Sequence, residues 1–202
     1  MIRAVIFDWG GVLIENPAPA LLAYFSRRLG VSPEELNEAY REYAEAFQKG
    51  KISEEELWRG IVARLDIKEE PPPSLWYEAF REVYTPREEV FSLASELKDR
   101  GYRVGLLSNT EEGAVRYFQE QGYEMFDVAV FSCREGTRKP ERRIYEIALE
   151  RLEVFPQEAI FIDDNEEFAK GAKEVGMEAV LYTGTQALKG ALSSLLGELV
   201  PL

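Results

Sequence analysis

Five side chains stand where this chain could do chemistry: Asp8, Ser108, Lys139 and the pair Asp163-Asp164. A short branched and aromatic run, Ala4 to Phe7, reaches Asp8 and then breaks into Gly10 and Gly11. Such a run is too short for a helix and reads as a buried strand. Glycines directly after it let the backbone turn tightly and approach a ligand closely. In an open parallel sheet, ligands bind outside the carboxyl ends of the strands. Taken singly, each residue also has an ordinary reading. Asp8 could cap a turn, Ser108 and Asp163-Asp164 could cap helices, and Lys139 could be an exposed lysine before Pro140. Taken together, a hydroxyl, an ammonium and three carboxylates on one sheet edge are equipment for a phosphate and a divalent cation. Magnesium takes one or two carboxylates plus substrate oxygens, and the hydroxyl and ammonium supply donors to the remaining phosphate oxygens.

The elements that must hold these residues follow from the hydrophobic pattern. Strands are predicted at 102–107, 128–131, 159–162 and 178–182, and helices at 88–100, 110–121, 141–152, 166–175 and 186–196. Strand–helix alternation of this kind means a parallel sheet with helices on both faces, an α/β doubly wound core. Residues 16–85 differ. Ser32-Pro33-Glu34-Glu35 and Ser53 with Glu56 are capping-box helix starts, and Leu75 to Tyr84 reads as a further helix. Pro17 and Pro19 open a stretch ending near Gly30, and no strand is expected from about residue 16 to 85. The expected organisation is a core of 1–15 and 86–202 with a helical insertion at 16–85.

Composition narrows the chemistry. The chain has 202 residues, 46% of them hydrophobic, and carries a net charge of −13. A field of that sign repels phosphate backbones, so nucleic acid is not an expected partner. No apolar run approaches the ~20 residues of a membrane span, and the first residues lack a signal-peptide pattern. With a single cysteine, Cys133, a cytoplasmic location is expected. There is no histidine, which removes every His base, Ser-His or Cys-His pair and His-ligated zinc site. Catalysis is left to carboxylates, Lys, Arg, Tyr, hydroxyls or an oxygen-held metal.

Four segments then carry a resemblance: F-D-W-G-G-V-L from Phe7, L-L-S-N-T from Leu106, R-K-P-E-R-R-I-Y from Arg138, and F-I-D-D-N-E-E-F-A-K-G-A-K-E-V-G-M from Phe161. In order and spacing they resemble the haloacid dehalogenase-like hydrolase superfamily, whose four motifs they match over 2–15 and 88–182. The insertion resembles the helical cap of that superfamily only as a type. The resemblance implies a Rossmann-like core with the first and fourth strands adjacent. It implies Asp8 as nucleophile, and Ser108, Asn109 and Lys139 around the transferring group. Mg2+ would be held by Asp8, the Gly10 carbonyl, Asp163 and Asp164. Three close carboxylates repel without a cation, which argues for metal on separate grounds.

Family phosphatases usually carry a second Asp two residues after the nucleophile, as acid and base. Gly10 occupies that position. General acid–base help is worth ~10²–10⁴-fold, so its absence divides the readings. The main one is a phosphatase acting on a small phosphorylated metabolite that leaves readily, such as a sugar 1-phosphate. A 2-haloacid dehalogenase also dispenses with the second Asp, but uses no metal. A non-catalytic relative binding a metabolite or a protein partner is the third. Glu15 is the nearest substitute acid in sequence. Trp9 is expected at the substrate entrance or in the core. Trp58, Trp76 and Tyr77 could face the substrate, and Arg134 and Arg138 could touch a distal anion. Oligomeric state has no signature in the sequence.

Overall fold

Short apolar runs make the sheet, and its three central strands are buried on both faces. The computed structural model of the protein describes residues 1–69 and 71–197; Glu70 and residues 198–202, the end of the expected core span, lie outside the described residues. The strands are β1 (Ala4–Phe7), β2 (Arg103–Ser108), β3 (Val128–Phe131), β4 (Ala159–Asp163) and β5 (Glu178–Leu181). All pair in parallel, in the order β3-β2-β1-β4-β5. Alternate residues of β1 point to opposite faces. Val5 and Phe7 enter one hydrophobic cluster, and Ala4 and Ile6 enter the other. Both faces are therefore covered, which is why these strands read as continuous apolar runs.

Helices α1 (Ala18–Leu29), α2 (Pro33–Gln48), α3 (Glu54–Leu65) and α4 (Leu75–Val83) form the insertion between β1 and α5 (Glu88–Asp99). Both capping boxes form: Ser32 with Glu35 and Ser53 with Glu56 exchange side-chain and main-chain hydrogen bonds. Helix α1 lies in the stretch for which the sequence marked only two prolines. Pro17 is its N-cap, and no side chain caps it. The remaining helices are α6 (Glu112–Gln121), the four-residue α7 (Ser132–Glu135), α8 (Arg142–Leu152), α9 (Glu166–Val175) and α10 (Thr185–Leu196). A 3₁₀ turn at Pro156–Glu158 precedes β4.

One hydrophobic cluster joins the sheet to the insertion. Phe7, Trp9 and Val104 belong with Phe25, Leu36, Trp58 and Phe80. Trp9 packs on Phe80 of α4 at 5.0 Å, Phe118 of α6 at 5.3 Å and Phe131 of β3 at 6.5 Å between ring centroids. Among the described residues, no helix is long and apolar enough to cross a membrane.

Candidate active site

The pairing of β1 with β4 sets the site. Phe7 lies opposite Ile162, and the Asp8 amide donates to the Ile162 carbonyl at 2.8 Å. Asp8 and Asp163 therefore leave adjacent strands side by side. Lys139 comes in from the loop before α8. Its ammonium lies 2.8 Å from Asp8 Oδ1 and 2.6 Å from Asp163 Oδ2. All three residues are buried, Lys139 to 1% exposure. The Lys139 ammonium also stands over the rings of Phe168 at 5.1 Å and Phe161 at 5.3 Å, a further attraction for a buried cation.

Asp8, Asp163 and Asp164 each offer a carboxylate oxygen within 4.8 Å of one another. Asp8 and Asp163 share the Lys139 ammonium, and Asp164 stands beside them with no ion pair among the described residues, a surplus of negative charge that a hard, oxygen-seeking cation fits. Burial, with the charge of Asp163 beside it, pushes the Asp8 carboxyl up to about 7 even against Lys139. Lys139 loses some basicity to burial, yet the charges of Asp8 and Asp163 outweigh this and hold it protonated. Burial and the Asp163 charge also raise Asp164.

The capping alternatives are resolved by the hydrogen bonds. Asn165, not the Asp pair, caps α9, accepting from the amides of Glu167 at 2.9 Å and Phe168 at 3.4 Å. Asp163 Oδ1 accepts from the Asn165 amide at 2.8 Å, so both Asp163 oxygens are engaged. Ser108 ends β2, and the residue at the N-cap of α6 is Glu111. Ser108 is thereby released from a capping role, and it lines the cavity over Asp8. Asn109 also lines the cavity, but its side chain is committed to the main chain of Lys139.

The two glycines after Asp8 differ. Gly11 has φ +95°, and a Cβ there would lie 2.1 Å from Asp164 Oδ2. Only glycine admits both that backbone and that carboxylate. Gly10 has an ordinary φ; a Cβ there would meet Pro17 Cδ at 3.1 Å. Space is therefore tight at Gly10, and its backbone would accept a side chain.

A cavity of about 670 Å³ opens from Asp8, Ser108 and Lys139 into the insertion, within the usual range for small-molecule sites. Trp9, Trp58 and Trp76 line it and are buried. Tyr77 faces elsewhere: its hydroxyl donates to Glu120 at 2.6 Å, and Arg116 lies over its ring. Arg138 reaches the cavity, whereas Arg134 is drawn to Glu112 at 2.6 Å. Glu15 does not line the cavity. Its carboxylate is largely exposed and held by Arg87, at 3.2 and 2.9 Å, which removes it as the substitute acid.

Glu111 is the residue that sequence reading missed. It is buried in the cavity wall and accepts from Tyr40 Oη and Gln48 Nε2 of α2, both at 3.3 Å. Burial pushes its carboxyl up to about 7.

The family model described as haloacid dehalogenase-like hydrolase matches residues 2–176. The sesquiterpene phosphatase astK of Aspergillus oryzae is 30% identical over 96% of this chain and 97% of its own length. Acyl-CoA dehydrogenase family member 10 of Mus musculus is 29% identical over 96% of this chain, which spans only 19% of that protein. A crystal structure of a haloacid dehalogenase family enzyme from Bacteroides thetaiotaomicron, an Asp12Ala mutant in complex with magnesium and inorganic phosphate, superposes with a TM-score of 0.74 at 22% identity. It covers 92% of this chain and 96% of that one.

Proposed function

Because the chain belongs to the haloacid dehalogenase-like hydrolases, we propose that it is a magnesium-dependent phosphatase of a small phosphorylated metabolite, working through an aspartyl-phosphate on Asp8. The observation that carries this reading is the cluster of Asp8, Asp163 and Asp164, with one ammonium, that of Lys139, paired to the first two. A halide-displacing site has no use for that surplus of carboxylates, whereas a phosphate bound with a divalent cation does. The phosphatase relative and the magnesium and phosphate in the related crystal structure support it.

In this reading Asp8, Asp163, Asp164 and the Gly10 carbonyl hold magnesium, which supplies positive charge to the phosphoryl oxygens when bound. Ser108 donates to a phosphoryl oxygen. Lys139 offsets the charge between the incoming dianion and the Asp8 carboxylate. An Asp8 oxygen attacks phosphorus and the bond from phosphorus to the leaving oxygen breaks, that oxygen taking its proton from solvent. Water then attacks the phosphorus of the acyl phosphate, releasing inorganic phosphate and restoring Asp8. Residues 16–85 act as the cap that covers the phosphate, and 1–15 with 86–202 form the hydrolase core.

The test is phosphate release from 4-nitrophenyl phosphate, with magnesium and with EDTA, by the parent and by Asp8→Asn. Hydrolysis that needs magnesium, is lost in Asp8→Asn and is blocked by beryllofluoride is expected. Undiminished turnover in chelator would remove the metal, and undiminished turnover by a folded Asp8→Asn would remove the nucleophile.

A further inference from the structure

The cavity wall built by the helices of the insertion is mostly apolar. Leu21, Phe25, Trp58, Ile61, Trp76 and Phe80 form most of it. The polar side chains that α1–α4 contribute, the indoles aside, are Asn37, Tyr40 and Gln48, and the last two are turned to Glu111. A polyhydroxylated substrate buried against this wall would leave hydroxyls without partners, each costing free energy. A carbon skeleton would instead gain by the burial.

Glu111 breaks the apolar character at one point. It is 7% exposed, lines the cavity, and no cation among the described residues pairs with it. Arg138, which lines the same cavity, forms no ion pair with it. Its two partners are neutral and sit at the long end of the hydrogen-bond range. Both bonds fall on Oε1, and Oε2 has no hydrogen bond among the described residues, which leaves it to accept from a ligand. The indole nitrogen of Trp9, which also lines the cavity, is buried without an acceptor, whereas the Trp76 indole lies close enough to Glu111 to favour its charged form. Burial without a cationic partner is costly for a carboxylate, and a donor carried in by a ligand would offset that cost.

We propose that the cavity takes a phosphate monoester whose alcohol portion is an apolar skeleton bearing one hydrogen-bond donor, a hydroxyl or an ammonium, which Glu111 accepts. The proposal rests on the phosphatase reading for the phosphate end and on Glu111 and the aromatic wall for the other end. Glu111 is a specificity residue in this scheme, touching the substrate away from the reacting phosphorus.

The experiment uses the full chain with magnesium and a set of 4-substituted phenyl phosphates. Their side chains of one to four methylenes end in a hydroxyl, an ammonium or a methyl ether; glucose 1-phosphate is included. Aryl esters keep the leaving group constant. At the best length, the hydroxyl or ammonium ester should exceed its methyl ether by about 10- to 100-fold in kcat/KM, the range expected for a hydrogen bond to a charged group. Every aryl ester should exceed glucose 1-phosphate. Glu111→Gln separates the two donors: it should abolish a preference for ammonium and leave part of a preference for hydroxyl. Methyl ethers equal to the donors at every length, or glucose 1-phosphate preferred, would overturn the proposal without the variant. Binding of the same esters to Asp8→Asn, followed by quenching of tryptophan fluorescence, separates the two readings. Donor-selective binding with no phosphate release by the parent would sink the phosphatase and uphold the ligand class. Turnover without donor selectivity would do the reverse.

Discussion

Asn109 grips Lys139 by both main-chain polar atoms. Its Oδ1 accepts from the Lys139 amide at 2.8 Å, and its Nδ2 donates to the Lys139 carbonyl at 3.0 Å. Lys139 itself is buried between Asp8 and Asp163, so the lysine that faces the nucleophile is positioned from the end of a strand 30 residues earlier.

Asn109→Ala should free the Lys139 backbone. We expect kcat on 4-nitrophenyl phosphate to fall more than KM rises, with stability lowered by ~1–3 kcal/mol for the lost pair. Asn109→Asp keeps an acceptor for the Lys139 amide and loses the donor to its carbonyl, so it should fall between parent and Ala. Steady-state kinetics with urea unfolding of the three proteins checks this. Equal kcat in all of them would remove Asn109 as a positioning residue.

Gly10 is limited by Pro17 rather than by its own backbone. Gly10→Asp alone should be held back by the 3.1 Å approach, and Gly10→Asp with Pro17→Ala should relieve it. If only the leaving-group acid is missing, the double variant should raise kcat/KM for an alkyl phosphate by up to ~10²-fold and leave an aryl phosphate nearly unchanged. A folded double variant that gains equally on both esters would show that protonation of the leaving group is not what Gly10 costs.

Gly11 is a position where a methyl group would displace a proposed metal ligand. Gly11→Ala places Cβ on the Asp164 carboxylate at φ +95°. Asp164 must move, and the magnesium concentration for half-maximal activity should rise by at least ~10-fold, as for other groups that orient ligands. A magnesium titration of activity, or calorimetry with magnesium alone, reads the effect. An unchanged midpoint would take Asp164 out of the proposed ligand set.

Glu111 makes stability depend on pH in a defined direction. Burial raises its carboxyl to about 7 in the folded chain, against ~4.3 unfolded. The folded state then binds the proton more tightly, so the stability this group allows is fully present below ~4.3 and is lost as pH rises to about 7. Relative to Glu111→Gln, the parent should lose up to ~4 kcal/mol across that window and nothing further above it. Urea unfolding of both proteins at pH 4.5, 6 and 8 would show it; a constant difference would mean that the carboxyl titrates normally.

Legibility in the sequence followed locality. Strands β1, β2 and β4 are short apolar runs because both their faces are covered, and α2 and α3 announce themselves through real capping boxes. The α1 helix begins at prolines with no capping side chain, so it left no local start signal. Asp8, Ser108, Lys139 and the Asp pair were legible because each stands at the end of a strand or before a helix. Glu111 was not. A glutamate at a helix start reads as a partner for the helix dipole. Its burial depends on Tyr40 and Gln48, 71 and 63 residues away. Glu15 failed in the opposite sense: it is near Asp8 in sequence, but Arg87, 72 residues distant, draws it outward.

The position of Trp9 bears on how such a protein could change its substrate. The indole follows the proposed nucleophile directly and is wedged among Phe80 of the insertion, Phe118 of α6 and Phe131 of β3. The insertion has an aromatic interior, Phe25 with Trp58 and Trp76, but through Trp9 it is continuous with the core. Trading residues 16–85 wholesale for the equivalent segment of a relative would strand Trp9 and open a hole beside the reactive carboxylate. Single replacements on the cavity wall, at positions such as Leu21 or Ile61, would instead reshape the pocket and leave the shared aromatic seam closed.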